Sequence, residues 1–391
     1  MFRLFCIITV AMSIYSHSSN AGNIKKIDEN KSNTLNFSGY LMVDHDYFSA
    51  FYNEDESEYQ HKTEIRRSKI GVTFTPNQYI KGKIQVKYSQ VFANEGQLIP
   101  GDIYFRVKTN SNFGFQIGHM KEPFGLEQQT SSSELIAIER SLPTTVFSPK
   151  RSYGLLIDIK KRSYTLAGGY FQNKDRGSEF LLTNFDIFQR APKDIKALTM
   201  RLTAAPIHKN NSTLHIGSSV SKRWLFENKV QLKSKGEVHT ADSIIRGSRF
   251  YADESNLYQI DLAIHRGSFL AQGEFFVNKI QQFDGRPWSF YGGYAQASYN
   301  AFGHYKYKKG NFKSSSNNDN FSLEWVIRHS YINLEDNNIG SKASSSLLGM
   351  NLHINSYLKL MMNTSTPWIT GDTINGFQTG RSYSLRAQIS F

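Results

Sequence analysis

The last eleven residues, "RSYSLRAQISF", alternate without a break. Tyr383, Leu385, Ala387, Ile389 and Phe391 fall on one side of an extended chain, and Ser382, Ser384, Arg386, Gln388 and Ser390 on the other. Successive side chains of a strand point to opposite faces, so a strict period of two describes a strand with one apolar and one polar face. A chain that sustains such a pattern must place its apolar faces against something other than water, either a second sheet or lipid.

The pattern recurs along the sequence. "LNFSGYLMV" aligns Leu35, Phe37, Leu41 and Val43. "YIKGKIQVKYSQVF" sets Ile80, Ile84, Val86, Tyr88 and Phe92 against Lys81, Lys83, Gln85, Lys87 and Ser89. "DIYFRVK" sets Ile103, Phe105 and Val107 against Asp102, Tyr104, Arg106 and Lys108. "NLYQIDLAIH", "FLAQGEFFV" and "FSLEWVIRHSYINL" behave alike, and Gly/Asn/Pro/Ser-rich breaks such as "TPNQY" and "HINSY" separate the runs. Connections alternate in length: "NEDESEYQH" is long, "TPNQY" short, "ANEGQLIPG" longer and "TNSN" short again. Short turns on one side and longer loops on the other are the outer-membrane arrangement. Sixteen strands leave roughly 23 residues for each strand and its connection, whereas eight would leave about 46 and twenty-two about 17. The tally between Asp242 and Asn320 is open to more than one parity. The expected fold is all-β: a transmembrane antiparallel β-barrel of about 16 strands occupying residues 35–391. A final strand ending on Phe391 resembles the terminal assembly signal of outer-membrane barrels.

The first residues carry a leader. Arg3 supplies the positive region, Leu4 to Tyr15 a short apolar core, and Ser19-Asn20-Ala21 a small–x–small cleavage site. Residues 1–21 read as a signal peptide and 22–34 as a short periplasmic segment. Cys6, the single cysteine, lies inside the leader, so no disulfide is expected after cleavage. The formal charge of +13 points to anionic partners. For an exported chain these are small anions or an anionic membrane surface, not nucleic acid.

Alternation breaks at "GHMKEPFGLEQQTSSSELIAIERSLP", Gly118 to Pro143, after the fifth strand. Ser131-x-x-Glu134 has the form of a capping box, which predicts a short helix over "LIAIER". The longer stretch "GHMKEPFGLEQQTSSSELIAIERSLPTTVFSPKRSYGLLI" resembles the central signature of the phosphate-selective porin O and P family, and "EIRRSKIGVTF" resembles that family's Arg-Arg strand. "GGYAQASYNAFGHYKYKKGNF" and "LLGMNLHINSYLKLMMNT" resemble its C-terminal strands more loosely, and "GMNLHIN" lacks an expected aromatic pair. The resemblance covers nearly the whole mature chain. It implies a 16-stranded barrel, a homotrimer and anion-preferring diffusion. In 16-stranded porins the third external loop folds into the lumen, which makes residues 121–149 the constriction loop.

Rows of Lys and Arg are the usual device of anion pores. Lys81, Lys83 and Lys87 share one face of the third strand. Arg67 and Lys69 face the lumen if Ile70, Val72 and Phe74 face lipid, which leaves Arg66 at the wrong parity and near the rim. Arg106 and Lys108 continue the row. Lys121 and Arg140 match basic positions of the family signature and are expected at the narrowest section. The acidic Glu54, Asp55 and Glu56 belong to the first external loop. Asp44 and Asp46 share a face while His45 points away, a poor arrangement for a metal. With no catalytic or cofactor motif, the expected function is passive, anion-preferring diffusion, with phosphate or polyphosphate as candidate solutes and lipopolysaccharide as the surrounding partner. The alternatives are a surface barrel acting as adhesin or receptor, and a non-selective porin.

Overall fold

The computed structural model describes residues 33–52, 59–92, 95–110, 112–173, 194–209, 211–316, 321–371 and 376–391. The expected leader, nearly all of the expected periplasmic segment, and Glu54, Asp55 and Glu56 lie outside the described residues. The wall begins with β1 (Thr34–Ser49), β2 (Tyr59–Thr75), β3 (Ile80–Phe92), β4 (Glu95–Lys108), β5 (Phe113–Lys121) and β6 (Arg151–Lys160). It continues with β7 (Tyr164–Asn173), β8 (Ile195–Lys209), β9 (Ser212–Ser234), β10 (Ile245–Arg266), β11 (Phe269–Gln282) and β12 (Pro287–Ala301). A separate hairpin follows, β13 (Gly303–Lys308) and β14 (Asn311–Ser316). The wall then resumes with β15 (Ser322–Asn333), β16 (Ser341–His353), β17 (Leu358–Gly371) and β18 (Ser382–Ser390). Sixteen antiparallel strands close into one barrel, each paired with its neighbours in sequence and β18 with β1. The separate hairpin is what blurs the strand tally between Asp242 and Asn320.

Burial is inverted relative to a water-soluble sheet. On β18 Leu385 is 49% exposed and Arg386 only 2%. Outward positions elsewhere are apolar, such as Phe37, Ile84, Ile117, Met200, Ile260 and Ile327. Inward positions carry the charges: Asp44, Arg201, Arg223, Asp261, Glu274 and Arg328 are all buried. An apolar outer band around a polar interior is what a bilayer requires, and closure leaves no unpaired sheet edge in lipid. Tyr47 stacks on Tyr59 with ring centroids 5.1 Å apart, beside Tyr383, a small aromatic girdle at one rim.

Closure ends on the last residue. Phe391 N–H donates to Gly39 O at 3.0 Å and Gly39 N–H to Phe391 O at 2.9 Å. A Cβ at Gly39 would sit 2.5 Å from the Phe391 ring and 2.7 Å from the Lys69 carbonyl oxygen, so a larger residue there would displace the ring or the strand. Deleting Phe391 removes both hydrogen bonds and the ring contact at the seam. The deletant is expected to lose most of its heat-modifiable barrel from the outer membrane and to leave unfolded chain behind. Wild-type levels of the heat-modifiable form would contradict this.

At the end where β1 begins and β18 ends most described connections are short turns, such as 76–79, 161–163 and 354–357. The other end carries longer segments, including 122–150 and 235–244, and is therefore external. One expectation about connections changes. From Glu95 on, "ANEGQLIPG" is strand rather than loop: β4 starts at Glu95 and runs through Pro100, where the pairing shifts between Ile84 and Val86. Proline has no N–H to donate, and a bulge is where a strand tolerates it. The connection between β12 and β15, whose strand tally was open, carries the separate hairpin. Its hairpin folds back into the lumen from the periplasmic end, where Tyr305 and Phe312 are buried. Tyr305 OH donates to Glu324 Oε1 at 2.6 Å, and Tyr307 OH lies 2.9 Å from His215 Nδ1.

Candidate functional site

Residues 122–150 fold into the lumen, and their local structure differs from the expected helix. α1 (Leu126–Gln129) and α2 (Leu142–Phe147) flank a 3-10 turn at Ser132–Glu134. The capping box does not form: Ser131 caps nothing, its hydroxyl meets Ser133 Oγ at 3.0 Å, and Glu134 pairs with Lys313 of the hairpin at 2.9 Å. "LIAIER" stays non-helical because the barrel wall takes its carbonyls. Lys359 Nζ donates to Leu135 O (2.8 Å), Asn351 Nδ2 to Ile136 O (2.6 Å), Arg386 Nη1 to Ile138 O (2.6 Å) and Arg328 Nη2 to Glu139 O (3.0 Å). Four wall donors replace the hydrogen bonds a helix would supply, and burial of Leu135, Ala137 and Ile138 fixes the extended form. The helix appears instead at α2, with Pro143 in its first turn, where the missing N–H costs nothing.

Loop carboxylates complete the seat. Glu122 accepts from Arg223 (2.8 Å), Ser152 (2.8 Å) and Thr199 (2.7 Å). In return the wall's Glu274 accepts from the N–H groups of Leu126 and Glu127 at 2.8 and 2.6 Å. Glu139 is the hub: it accepts from Arg66 (2.7 and 3.0 Å), Arg67 (2.9 Å) and Arg386 (2.9 Å). Burial opposes ionisation of Glu139, but Arg66, Arg67 and Arg386 together outweigh it and hold the carboxyl well below the usual range. Arg66 reaches this hub through a bulge. Met42 pairs with Arg67 and Val43 with Ile65, so Arg66 is the extra residue of β2. Strict alternation had placed it at the rim; the bulge turns both arginines inward.

Lys121 and Arg140 meet on one carbonyl. Lys121 Nζ donates to Gln128 O at 2.7 Å and Thr130 O at 3.0 Å; Arg140 donates to Glu127 O at 3.2 Å and Thr130 O at 2.9 Å. Both cations thus hold the end of α1 while staying half-buried at the loop's edge.

The lumen is filled unevenly. Toward the external end an apolar cluster that includes Phe48, Tyr52, Phe124, Leu142, Phe147, Ile244, Phe276 and Phe290 occupies it. Wall arginines on that side are closed off, Arg328 and Arg386 having 0% side-chain exposure. On β2–β4 and β6 the inward cations keep water: 18% for Arg67, 21% for Lys83 and 19% for Arg151. Lys69 and Lys87 are direct partners across β2 and β3, half-buried, with no hydrogen bond or ion pair among the described residues. The Lys69 ammonium lies 4.5 Å from the Tyr40 ring centroid. Lys81 is likewise half-buried and without an ion pair, and Lys108 is exposed at the periplasmic end of β4. Lys83 and Arg151 share Asp102 at 3.0 and 2.6 Å. Arg106 forms a two-point pair with Asp158 (2.5 and 2.6 Å), whose second neighbour is Lys160 at 3.4 Å.

Cations therefore outnumber carboxylates along this wall, and Lys69, Lys81 and Lys87 form no ion pair among the described residues, with Asp102 acting on Lys69 and Lys87 only from a distance. Sequence reasoning missed Arg66 and Arg151. The Arg-Arg pair was the available signal for the first; nothing local marks the second. Asp44 and Asp46 share an inward face as expected, Asp44 pairing with Arg386 at 2.7 Å and Asp46 accepting from Ser384 and Thr240.

A family model described as phosphate-selective porin O and P matches residues 37–372. No curated protein matches the chain. Among solved structures, the chain is similar to an anion-selective porin from Comamonas acidovorans, with a TM-score of 0.56 at 9% identity over 92% of this chain and 100% of that one. It is similar to the outer membrane channel DcaP of Acinetobacter baumannii (TM-score 0.57, 11% identity, 94% and 100% covered). It is also similar to the trimer form of OmpT, an outer membrane protein of Vibrio cholerae (TM-score 0.57, 12% identity, 92% and 99% covered). At such identities these likenesses concern the fold.

Proposed function

The chain belongs to the phosphate-selective porin O and P family, and on that premise we propose that this outer-membrane barrel is a passive diffusion channel that prefers anions, small phosphates among them. The observation that supports the reading most is the pair Lys69 and Lys87 on the water-accessible wall, without an ion pair among the described residues. A low-dielectric wall focuses the field of such charges, and an anion passing them exchanges part of its hydration for contact with ammonium groups. Asp102 and Asp158 temper the neighbouring cations. Several moderate sites in a row let an ion leave as readily as it enters. The lumen's buried acids and bases are spent on pairing with one another and on holding the loop and the hairpin, which favours passage over catalysis.

The test is the reversal potential of purified protein in a planar bilayer under a salt gradient. A potential of the sign set by anions, reduced by added phosphate, supports the reading. A cation-set potential, or no conductance from correctly folded barrel, refutes it and favours a surface role. The working unit is proposed to be a homotrimer in a lipopolysaccharide-bearing leaflet. Native mass measurement in mild detergent is expected to give three chains; monomer alone at all concentrations would count against it.

A further inference from the structure

A second set of cations takes no part in the lumen. Lys196, Lys222 and Lys279 point outward from β8, β9 and β11 and are exposed. Each ends an apolar outward run on its own strand: the next outward residue below Lys196 is Leu198, below Lys222 Val220 and below Lys279 Val277. Met200, Val220, Tyr258, Val277 and Tyr291 are successive partners across β8 to β12 on the outer face. One outward position higher lie Lys222, Asn256, Lys279 and Ser289, again successive partners. Lys196 sits one step above that, opposite Trp224. The cations thus begin where the apolar band ends, at the external boundary of the bilayer. Neighbouring strands are about 4.8 Å apart, so Lys222 and Lys279 stand roughly 10 Å apart with Asn256 between them.

The backbone is shaped to present this patch. Trp224 pairs with Glu254 and Asn228 with Ala252, so β9 bulges over the residues between. Phe226 and Glu227 there have φ of 53° and 65°, a left-handed backbone that ordinary side chains seldom adopt. The bulge turns Phe226 outward beneath the Lys196 ammonium, 5.6 Å from its ring, while Lys222 lies 5.6 Å from the Trp224 ring. Aromatic rings beside cations at the bilayer edge suit a molecule with both acyl chains and anionic groups. Glu254 pairs with Lys222 at 3.2 Å, but with side chains 48% and 34% exposed that pair holds weakly and a phosphate can displace it. Asp253 also lies at this bulge, half-buried. The sector on β15 to β17 differs: its outward residues include the successive partners Tyr331, Ser344 and Trp368, and nearby Lys342 is paired with Glu335 at 3.1 Å.

We propose that Lys196, Lys222 and Lys279 form a docking site for the phosphates of an anionic, phosphorylated glycolipid of the outer leaflet. The proposal deepens the reading that lipopolysaccharide is the barrel's lipid partner and locates it on one sector. Two ammonium groups about two strands apart match a head group carrying two phosphates, and charge-assisted hydrogen bonds to them replace hydration at the membrane edge.

The test uses the full-length protein in detergent, with retained lipid counted by native mass spectrometry. The probes are bisphosphorylated lipid A, its dephosphorylated form and inorganic phosphate. Wild type is expected to retain the bisphosphorylated lipid at least tenfold better than the dephosphorylated one, and millimolar inorganic phosphate is expected not to displace it. The triple variant Lys196→Gln, Lys222→Gln, Lys279→Gln is expected to lose that preference, with conductance and reversal potential unchanged. Ser344→Gln on β16 with Thr366→Gln, an exposed outward residue of β17, is expected to keep it. Equal retention by the triple variant and wild type, or equal loss in the β16–β17 variant, overturns the site. Displacement by inorganic phosphate would make it a free-phosphate site and likewise overturn the lipid assignment. If wild type retains no phosphorylated lipid at all, the broader lipid reading fails, not only its location. If the triple variant folds poorly, Lys279→Gln alone, expected to weaken retention severalfold, carries the same test.

Discussion

Replacing both Lys69 and Lys87 by Glu is expected to abolish or reverse the anion preference of the channel while leaving the barrel intact. The two ammonium groups face each other across β2 and β3 on the wall that keeps contact with water, and neither forms an ion pair among the described residues. A unit charge about 6 Å from a passing ion interacts with it by roughly 3 kcal/mol at an effective dielectric near 20. Loss of hydration offsets much of that. Even about 1 kcal/mol retained per site alters anion occupancy about fivefold, and reversal doubles the change. Lys222→Glu is the matched control: the same change of charge on the outer face, expected to leave the reversal potential within error. Lys121 and Arg140 make poorer probes than their sequence positions suggest. Each donates to loop carbonyls, so exchanging them changes the loop's shape together with its charge. An unchanged reversal potential in the double variant, with correctly folded barrel, would move the selectivity determinant off this wall.

Substituting Glu139 by Ala is expected to release the constriction loop. Its carboxylate receives Arg66, Arg67 and Arg386, and its loss leaves three guanidinium groups crowded together: Arg386 keeps Asp44, Arg66 keeps Glu64 at 3.9 Å, and Arg67 keeps no carboxylate among the described residues. Breaking a buried ion pair by removing one partner typically costs about 3–5 kcal/mol. The loop's remaining attachments, Glu122 to Arg223 and the wall donors to its carbonyls, are expected to keep it inside the barrel but mobile. Single-channel conductance should rise and become noisy, and protease should cut between residues 126 and 147 in variant but not in wild type. Conductance noise and protease resistance like those of wild type would show that Glu139 does not hold the loop. The pH behaviour follows in sign. The Glu139 carboxyl is held well below its ordinary value, so its contribution is fully present above the usual glutamate range. It is lost only as pH falls through the lower, folded value. The wild-type loop should therefore stay closed through mildly acidic conditions.

Alternation alone carried the sixteen-stranded wall, because a strand's inside and outside are written in every second residue and need no distant partner. "RSYSLRAQISF" is the plainest instance: Arg386 and Leu385 face as their order requires. The inward loop after the fifth strand was legible as an interruption of that rhythm. The shape of the loop was not. A capping box favours a helix by local hydrogen bonds, yet Lys359, Asn351, Arg386 and Arg328 reach the same backbone from strands about two hundred residues away. Arg66 escaped parity because a bulge adds one residue to β2 without marking the sequence. The hairpin β13–β14 looked like wall because its strands alternate like wall; only its pairing with itself separates it. Which lysines remain uncancelled was equally hidden: Lys83 and Lys87 are equivalent in sequence pattern, but Asp102 reaches one and not the other. Sequence determined which residues face inward, since that depends on period; tertiary structure decided which inward charges meet, since that depends on where the closed barrel brings distant strands and the loop together.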